Sequence, residues 1–303
     1  MTRGHARAAK LHRSGELADR ARRAVAALER CELCPRRCRV KRVAGRTGVC
    51  RIGREARVAS AAPHFGEEAP LVGTRGSGTV FFSGCNLRCS FCQNCDISHD
   101  AVGPEVDAAA LARIMLELES HRCLNVNLVT PSHVVPQILE ALDIAIGEGL
   151  SVPVVYNSSA YDSVETLRLL DGVVDIYMPD LKFWHGEGGA YLDGVSDYAE
   201  VATAAVREMH RQVGDLHLVR GAAVSGLLVR HLVMPRGAAD SGAIMRFLAS
   251  LSPETYVNVM GQYRPAHRAR HDDVIGTAVT YAEVAEAVQA AHDAGLRRIE
   301  GHL

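Results

Sequence analysis

The chain has 303 residues, 48% of them hydrophobic, with a formal net charge of -1 and a pI near 6.9. That length suits one large α/β domain with an appendage, and the balanced charge excludes a global field for nucleic acid. The charge is unevenly spread, with 16 Lys/Arg against 5 Asp/Glu in residues 1–56, which reads as a solvated helix and loop or as a basic surface for a partner.

Residues 6–30 are predicted as a helix, with Leu11, Leu17, Ala21, Val25 and Leu28 on one apolar face. A cysteine group, Cys31, Cys34, Cys38 and Cys50, follows at once. Residues 51–77 read as loop, rich in Gly and Pro with little periodicity. From Gly78 onward short apolar runs alternate with amphipathic stretches. Strands are predicted over 79–83, 124–129, 152–156, 173–178, 227–233 and 256–260. Helices are predicted over 106–120, 134–146, 163–170, 198–213, 243–251 and 281–294, with Ser163 as an N-cap and Pro136 tolerable in a first turn. Six strand–helix units imply parallel strands joined by right-handed crossovers. The expected fold is α/β: a partial, TIM-like (β/α)6 barrel over residues 71–303. A small helical, Cys-rich metal-binding extension over residues 1–70 precedes it. In such barrels the chemistry sits at the C-terminal ends of the strands.

Nine cysteines are many for this length. The start of the chain is basic and lacks the apolar run of a secretion signal, and no stretch approaches the roughly 20 apolar residues of a membrane span. A reducing, cytoplasmic protein with metal-type cysteine clusters is expected rather than a disulfide framework.

The residues after each predicted strand are polar and ionisable. Cys85, Cys89 and Cys92 follow the first, spaced C-x3-C-x2-C. Thr130, Ser132 and His133 follow the second, Asn157 and Ser158 the third, and Asp180 and Lys182 the fourth. Arg230 and His231 lie on the fifth, and Tyr263, Arg264 and His267 come after the sixth. Three thiolates are one short of the set that usually holds an iron–sulfur cluster, so one iron would be left open. Zinc or an inert buried group are the other readings of the triplet.

The triplet, with Phe91 before its last cysteine, resembles the signature of the radical S-adenosylmethionine superfamily. Residues 76–94 and the Asp180-Leu181-Lys182 element look like the branch similar to pyruvate formate-lyase-activating enzymes, over roughly residues 70–265. The resemblance implies a [4Fe–4S] cluster on Cys85, Cys89 and Cys92, with S-adenosylmethionine near Thr130, Ser132, Ser158, Asp180, Lys182 and His231. It also implies a monovalent cation near Asn157, Ser158, Met178 and Asp180. An external one-electron reductant of flavodoxin or ferredoxin type is expected, and a glycyl radical enzyme in trans as the partner that loses hydrogen. The same radical chemistry on a small molecule or a peptide is the alternative. A non-catalytic metal-binding module on nucleic acid is the alternative of another class. Two departures stand out. Thr130-Pro131-Ser132-His133 replaces the superfamily's Gly-rich acidic turn, and Cys95 follows Gln93-Asn94 where a non-cysteine is expected.

Cys31, Cys34, Cys38 and Cys50 make a complete four-thiolate set, for zinc or for a second iron–sulfur cluster. Cys95 reads as a passive neighbour or a substrate-side thiol, and Cys123 as a small core residue. Gly73, Gly76 and Gly78 read as turn chemistry, since no helix with a Lys-Ser/Thr ending follows.

Overall fold

The structure, a computed structural model, describes residues 6–302; residues 1–5 and 303 of the two expected units lie outside it. Seven strands run parallel: β2 (Ser77–Phe82), β4 (Val126–Val129), β5 (Val154–Ser158), β6 (Ile176–Pro179), β8 (Ala222–Leu232), β9 (Tyr256–Met260) and β10 (Arg298–His302). Beside β2 lies the antiparallel β1 (Ala56–His64), edged by β3 (Glu105–Val106), and β7 (His217–Val219) forms a hairpin with the first part of β8. The spatial order is β10-β9-β8-β6-β5-β4-β2-β1-β3, with the two ends unpaired, so the barrel is open.

The helices are α1 (Ala6–Arg13), α2 (Glu16–Ala26), α3 (Ala69–Val72), α4 (Cys95–Asp100), α5 (Ala108–Ser120), α6 (Val135–Gly147), α7 (Val164–Leu169), α8 (Tyr198–Val213), α9 (Ser241–Leu251) and α10 (Tyr281–Asp293). Asp107 caps α5, accepting from the Ala110 N–H at 2.7 Å, and Thr280 with Glu283 forms a capping box on α10.

Alternation along the strands divides the barrel into two surfaces. Val80, Leu128, Tyr156, Tyr177 and Val229 face outward and join Leu111, Met115, Ile138, Leu142 and Met209 of the helices in the main core. Val155, Ile176, Met178 and Leu228 face inward and, with Leu71 of α3, plug the barrel floor. One inward position further along each strand stand Asn157, Arg230 and Asn258, which border the cavity described below. The floor is therefore apolar and the rim polar.

Two expectations needed correction. The helix predicted over 6–30 breaks at Gly15 (φ 77°), and α1 and α2 lie on α6, where His12 Nδ1 meets Asp143 Oδ1 at 2.8 Å. Residues 56–64, read as loop, are β1. It is paired on its second edge only at Ala56 and Arg57, so most of it is an exposed edge with no need for apolar alternation. It carries the sheet into the stretch assigned to the extension, and the expected boundary at 70–71 falls inside α3. The six expected strand–helix units are all present in an open sheet, and a seventh parallel strand, β10, follows them, too polar at Arg298 and Glu300 for its sequence to stand out as a strand.

Candidate active site

The segment after β2 folds into a loop that places three sulfurs on one wall. Gly84 (φ 78°) starts it, and a Cβ there would lie 2.2 Å from the Cys50 carbonyl oxygen, so the loop can abut the N-terminal element only with glycine. The Leu87 N–H points at Cys85 Sγ (3.4 Å), the Cys92 N–H donates to the Cys89 carbonyl at 3.2 Å, and Ser98 Oγ of α4 lies 3.1 Å from Cys92 Sγ. Phe91 sits edge-on to Phe183 and Tyr263, with ring centroids 5.9 and 6.1 Å apart. The Ser90 N–H donates to the Tyr191 carbonyl at 2.8 Å, and the Ser90 carbonyl accepts from the Ala269 N–H at 3.1 Å. Two later loops thus clamp the cysteine loop from outside.

Cys85, Cys89 and Cys92 border one cavity of about 520 Å³ at the C-terminal ends of the strands, within the common range for small-molecule sites. Thr130, Asn157, Ser158, Asp180 and Lys182 share it. Lys182 Nζ donates to Asp180 Oδ2 at 2.7 Å. Burial by itself would lower the Lys182 pKa; the Asp180 charge and hydrogen bond outweigh it, together with the nearby Cys89, and hold the ammonium above its usual range. Burial pushes the Cys89 thiol up. Asp180 Oδ1 is buried without a hydrogen-bond partner, an acceptor that a bound ligand's N–H would satisfy.

Not every expected residue reaches the cavity. His231 is fully buried on the opposite face of β8 from Arg230 and Leu232, with Nδ1 2.9 Å from the Leu181 carbonyl and Nε2 2.8 Å from Ser241 Oγ. Strand alternation turns it toward the helices. Ser132 is likewise buried beside Asp162 and Tyr156 and does not border the cavity. Ser158 borders it, yet its hydroxyl donates to Asp162 Oδ2 at 2.7 Å. Of the residues expected near a monovalent cation, the Met178 side chain belongs to the barrel floor, while Asn157, Ser158 and Asp180 border the cavity. Tyr263 is buried behind Phe91 and donates to the Ile275 carbonyl at 2.7 Å, so it packs rather than faces the cavity.

Of a second polar group bordering the same cavity, the sequence reading named Arg230 but not its partners Glu67, Glu68 and Asn258. Arg230 Nε and Nη2 donate to the two carboxylate oxygens of Glu68, each at 2.7 Å, and Nη2 also donates to Glu67. Asn258 Nδ2 donates to Glu68 Oε1 at 2.8 Å. Burial would raise the Glu68 pKa, but the Arg230 bonds and charge prevail and hold it below the usual carboxylate range. The signal was available: Arg230 interrupts an apolar strand, and Glu67-Glu68 is an acidic pair between glycine and proline. With β1 read as loop, nothing placed that pair at the barrel.

The other cysteine group lies directly behind the triplet. Cys31, Cys34, Cys38 and Cys50 line one small enclosed cavity with Arg36, Arg42, Asn86 and His133. Arg36 donates to the carbonyls of Asn86 (2.7 Å), Asp193 (3.0 Å) and Leu192 (3.1 Å), tying this element to the cysteine loop and the barrel rim. Burial pushes the Cys34 thiol up to about 12. Cys95 opens α4 and borders neither cavity, and Cys123 is buried against Gly78.

Comparison with known proteins adds three findings. The family described as a 4Fe-4S single cluster domain matches residues 72–146, which include the triplet. The protein named Uncharacterized protein MJ0674, from Methanocaldococcus jannaschii, is 34% identical over 268 residues, covering 86% of this chain and 74% of that protein. A solved structure of the radical S-adenosylmethionine methyltransferase TsrM from Kitasatospora setae superposes with a TM-score of 0.45 at 16% identity. It covers 61% of this chain, and this chain spans only 36% of the solved one.

Proposed function

We propose that this chain, which belongs to the family of the Methanocaldococcus jannaschii protein MJ0674, is a radical S-adenosylmethionine enzyme. One observation carries the reading: the three motif cysteines and the Asp180–Lys182 pair share one cavity at the strand ends. The match of residues 72–146 to a single-cluster [4Fe–4S] domain supports the coarser part of it.

The residues present fit the groups this reading requires. Three sulfurs stand together on one wall, and the donor set on that wall lacks a fourth cysteine. Beside them in the same cavity are a buried acceptor without a partner, Asp180 Oδ1, and a fixed cation, Lys182. When bound, a [4Fe–4S] cluster carrying S-adenosylmethionine supplies a 5′-deoxyadenosyl radical by one-electron cleavage of the sulfonium C–S bond. Cys85, Cys89 and Cys92 would hold the cluster. Phe91, clamped between Phe183 and Tyr263, keeps water from its outer side. Asp180 would accept from the cofactor's amino group and Lys182 would pair with its carboxylate, a point charge held in place by its neighbour. An external one-electron reductant, of flavodoxin or ferredoxin type, delivers the electron.

The substrate that loses hydrogen would sit near Glu67, Glu68 and Arg230, which border the same cavity. Among the residues bordering the cavity, Glu67, Glu68, Asp180 and Glu300 are acidic against Lys182 and Arg230. Arg230 is already engaged by both Glu67 and Glu68. That excess of carboxylate favours a small molecule or peptide with a cationic or hydrogen-bond-donating group. The second reading, hydrogen abstraction from a glycyl radical enzyme, rests on the Asp180-Leu181-Lys182 element and the resemblance of residues 70–265 to activating enzymes.

Anaerobic reconstitution, reduction and chromatography for 5′-deoxyadenosine test the core reading; a cluster-loaded chain that leaves S-adenosylmethionine intact refutes it. Electron paramagnetic resonance of a candidate glycyl radical enzyme after incubation separates the two substrates. A glycine-centred doublet supports the activating role, and turnover of a small molecule without one supports the first reading.

A further inference from the structure

We infer that Cys31, Cys34, Cys38 and Cys50 hold a second [4Fe–4S] cluster, set directly behind the first cysteine loop. The four sulfur-bearing side chains come from two tight segments and converge on one enclosed cavity. The first segment turns sharply, with the Arg37 N–H on the Cys34 carbonyl (3.0 Å) and the Arg39 N–H on the Cys31 carbonyl (2.8 Å). The second is shaped to leave room: a Cβ on Gly48 would stand 2.7 Å from Cys38 Sγ, so only glycine leaves that thiol its place.

A buried cation points to what fills the cavity. Arg42 is only 1% exposed and borders it. Its guanidinium donates to the carbonyls of Gly53 (3.0 Å) and His133 (2.8 Å) and lies 3.8 Å from Cys31 Sγ, while Nη2 has no partner. Among the described residues it forms no ion pair with a carboxylate. A buried charge without a counter-charge is strongly destabilising. Four thiolates around a dicationic centre carry a net negative charge, and they stand where Arg42 needs it.

Size chooses between the two metals that four thiolates suit. A zinc ion draws four sulfurs to about 2.3 Å from one centre. Among the described residues no three Cys, His, Asp or Glu side chains stand close enough to share a single ion. The cavity walled by the quartet admits a water-sized sphere, which a closed zinc shell does not. A four-iron cubane spreads its cysteines over a wider shell, one per iron. The quartet is also joined to the first loop: Asn86, next to Cys85, faces Cys34, and the Cys50 carbonyl abuts Gly84.

The test is metal analysis of the full-length chain carrying Cys85→Ala, Cys89→Ala and Cys92→Ala, so that its outcome is independent of the radical chemistry. After anaerobic reconstitution with iron and sulfide, this variant should keep about four iron and about four sulfide per chain, against about eight of each in the unaltered chain. On reduction it should show the electron paramagnetic resonance signal of a reduced cubane. About one zinc per chain and no iron, on reconstitution with both metals offered, overturns the inference; so does a folded variant that retains no metal. If the triple variant does not fold by circular dichroism, Cys34→Ser with Cys38→Ser in the otherwise intact chain decides instead. Iron falling from about eight to about four per chain supports the second cluster, and an unchanged iron content overturns it.

Discussion

The two cysteine groups share a residue type and lie back to back, yet their surroundings assign them different chemistry. The triplet, Cys85, Cys89 and Cys92, opens on a cavity of about 520 Å³. The quartet, Cys31, Cys34, Cys38 and Cys50, lines a small pocket together with Arg42, Asn86 and His133. Each has one buried cation beside it. Lys182 near the triplet is paired with Asp180 at 2.7 Å, whereas Arg42 near the quartet has an unpartnered Nη2. An incomplete ligand set with a neutralised neighbour and free volume suits a reactive cofactor. A complete set with an unneutralised cation and only a small free volume suits a centre that is held and not approached.

The largest effect should come from the open side. Cys89→Ser should cut 5′-deoxyadenosine formation by more than about 100-fold, beyond the 10–100-fold that loss of an outer partner of a metal site typically costs. Iron on the quartet should persist, and loss of all iron would mean that the two groups load as one. The Arg230–Glu67–Glu68 group bordering the same cavity gives the next largest effect. Arg230→Ala leaves Glu67 and Glu68 buried without their cation and should destabilise the chain by about 3–5 kcal/mol in urea unfolding; an unchanged midpoint would mean that those carboxylates find water.

The other face of the same strand makes a pH test. Burial holds the His231 pKa down at about 4, against an ordinary value of 6.5. The unfolded chain therefore takes up this proton first as pH falls. His231's contribution to stability is complete above about pH 6.5 and is lost progressively down to about pH 4, a change of about 3 kcal/mol. His231→Leu should flatten that part of the stability–pH curve while leaving S-adenosylmethionine binding intact. A large fall in cofactor affinity would instead put His231 in the cavity.

Smaller and most specific is the contrast between the two cations. Lys182→Met should raise the KM for S-adenosylmethionine by about 10-fold, with iron content unchanged. Arg42→Met should do the reverse, stabilising the metal-free chain by about 1–3 kcal/mol through removal of an unpaired buried charge and weakening iron retention. Identical consequences for the two substitutions would remove the distinction between the groups.

Much of this arrangement was legible in the sequence. The parallel strands β2, β4, β5, β6, β8 and β9 follow from apolar runs alternating with helical periodicity, and α8 and β9 start and end where the pattern does. The gathering of Cys85, Thr130, Asp180 and Lys182 at one end follows from βα topology alone. What could not be read was set by the third dimension. β1 is held by ladder bonds to β2, and only Ala56 and Val58 in its first half reach the core, too few for an apolar alternation to show in the sequence. Which side of β8 points inward depends on register, so Arg230 and His231 look equivalent in the sequence and lie on opposite faces in the fold. Ser132 follows the same rule: it sits in the right loop, but its hydroxyl is buried beside Asp162.

The central claim, that the triplet and not the quartet makes the radical, is tested most directly by comparing two cluster-loaded preparations. One is the unaltered chain and the other carries Cys85→Ala, Cys89→Ala and Cys92→Ala, both reduced anaerobically with S-adenosylmethionine and assayed for 5′-deoxyadenosine. The account predicts product from the first and none from the second, even though the second still holds iron on Cys31, Cys34, Cys38 and Cys50. Equal product from both, or none from the fully loaded unaltered chain, would contradict it.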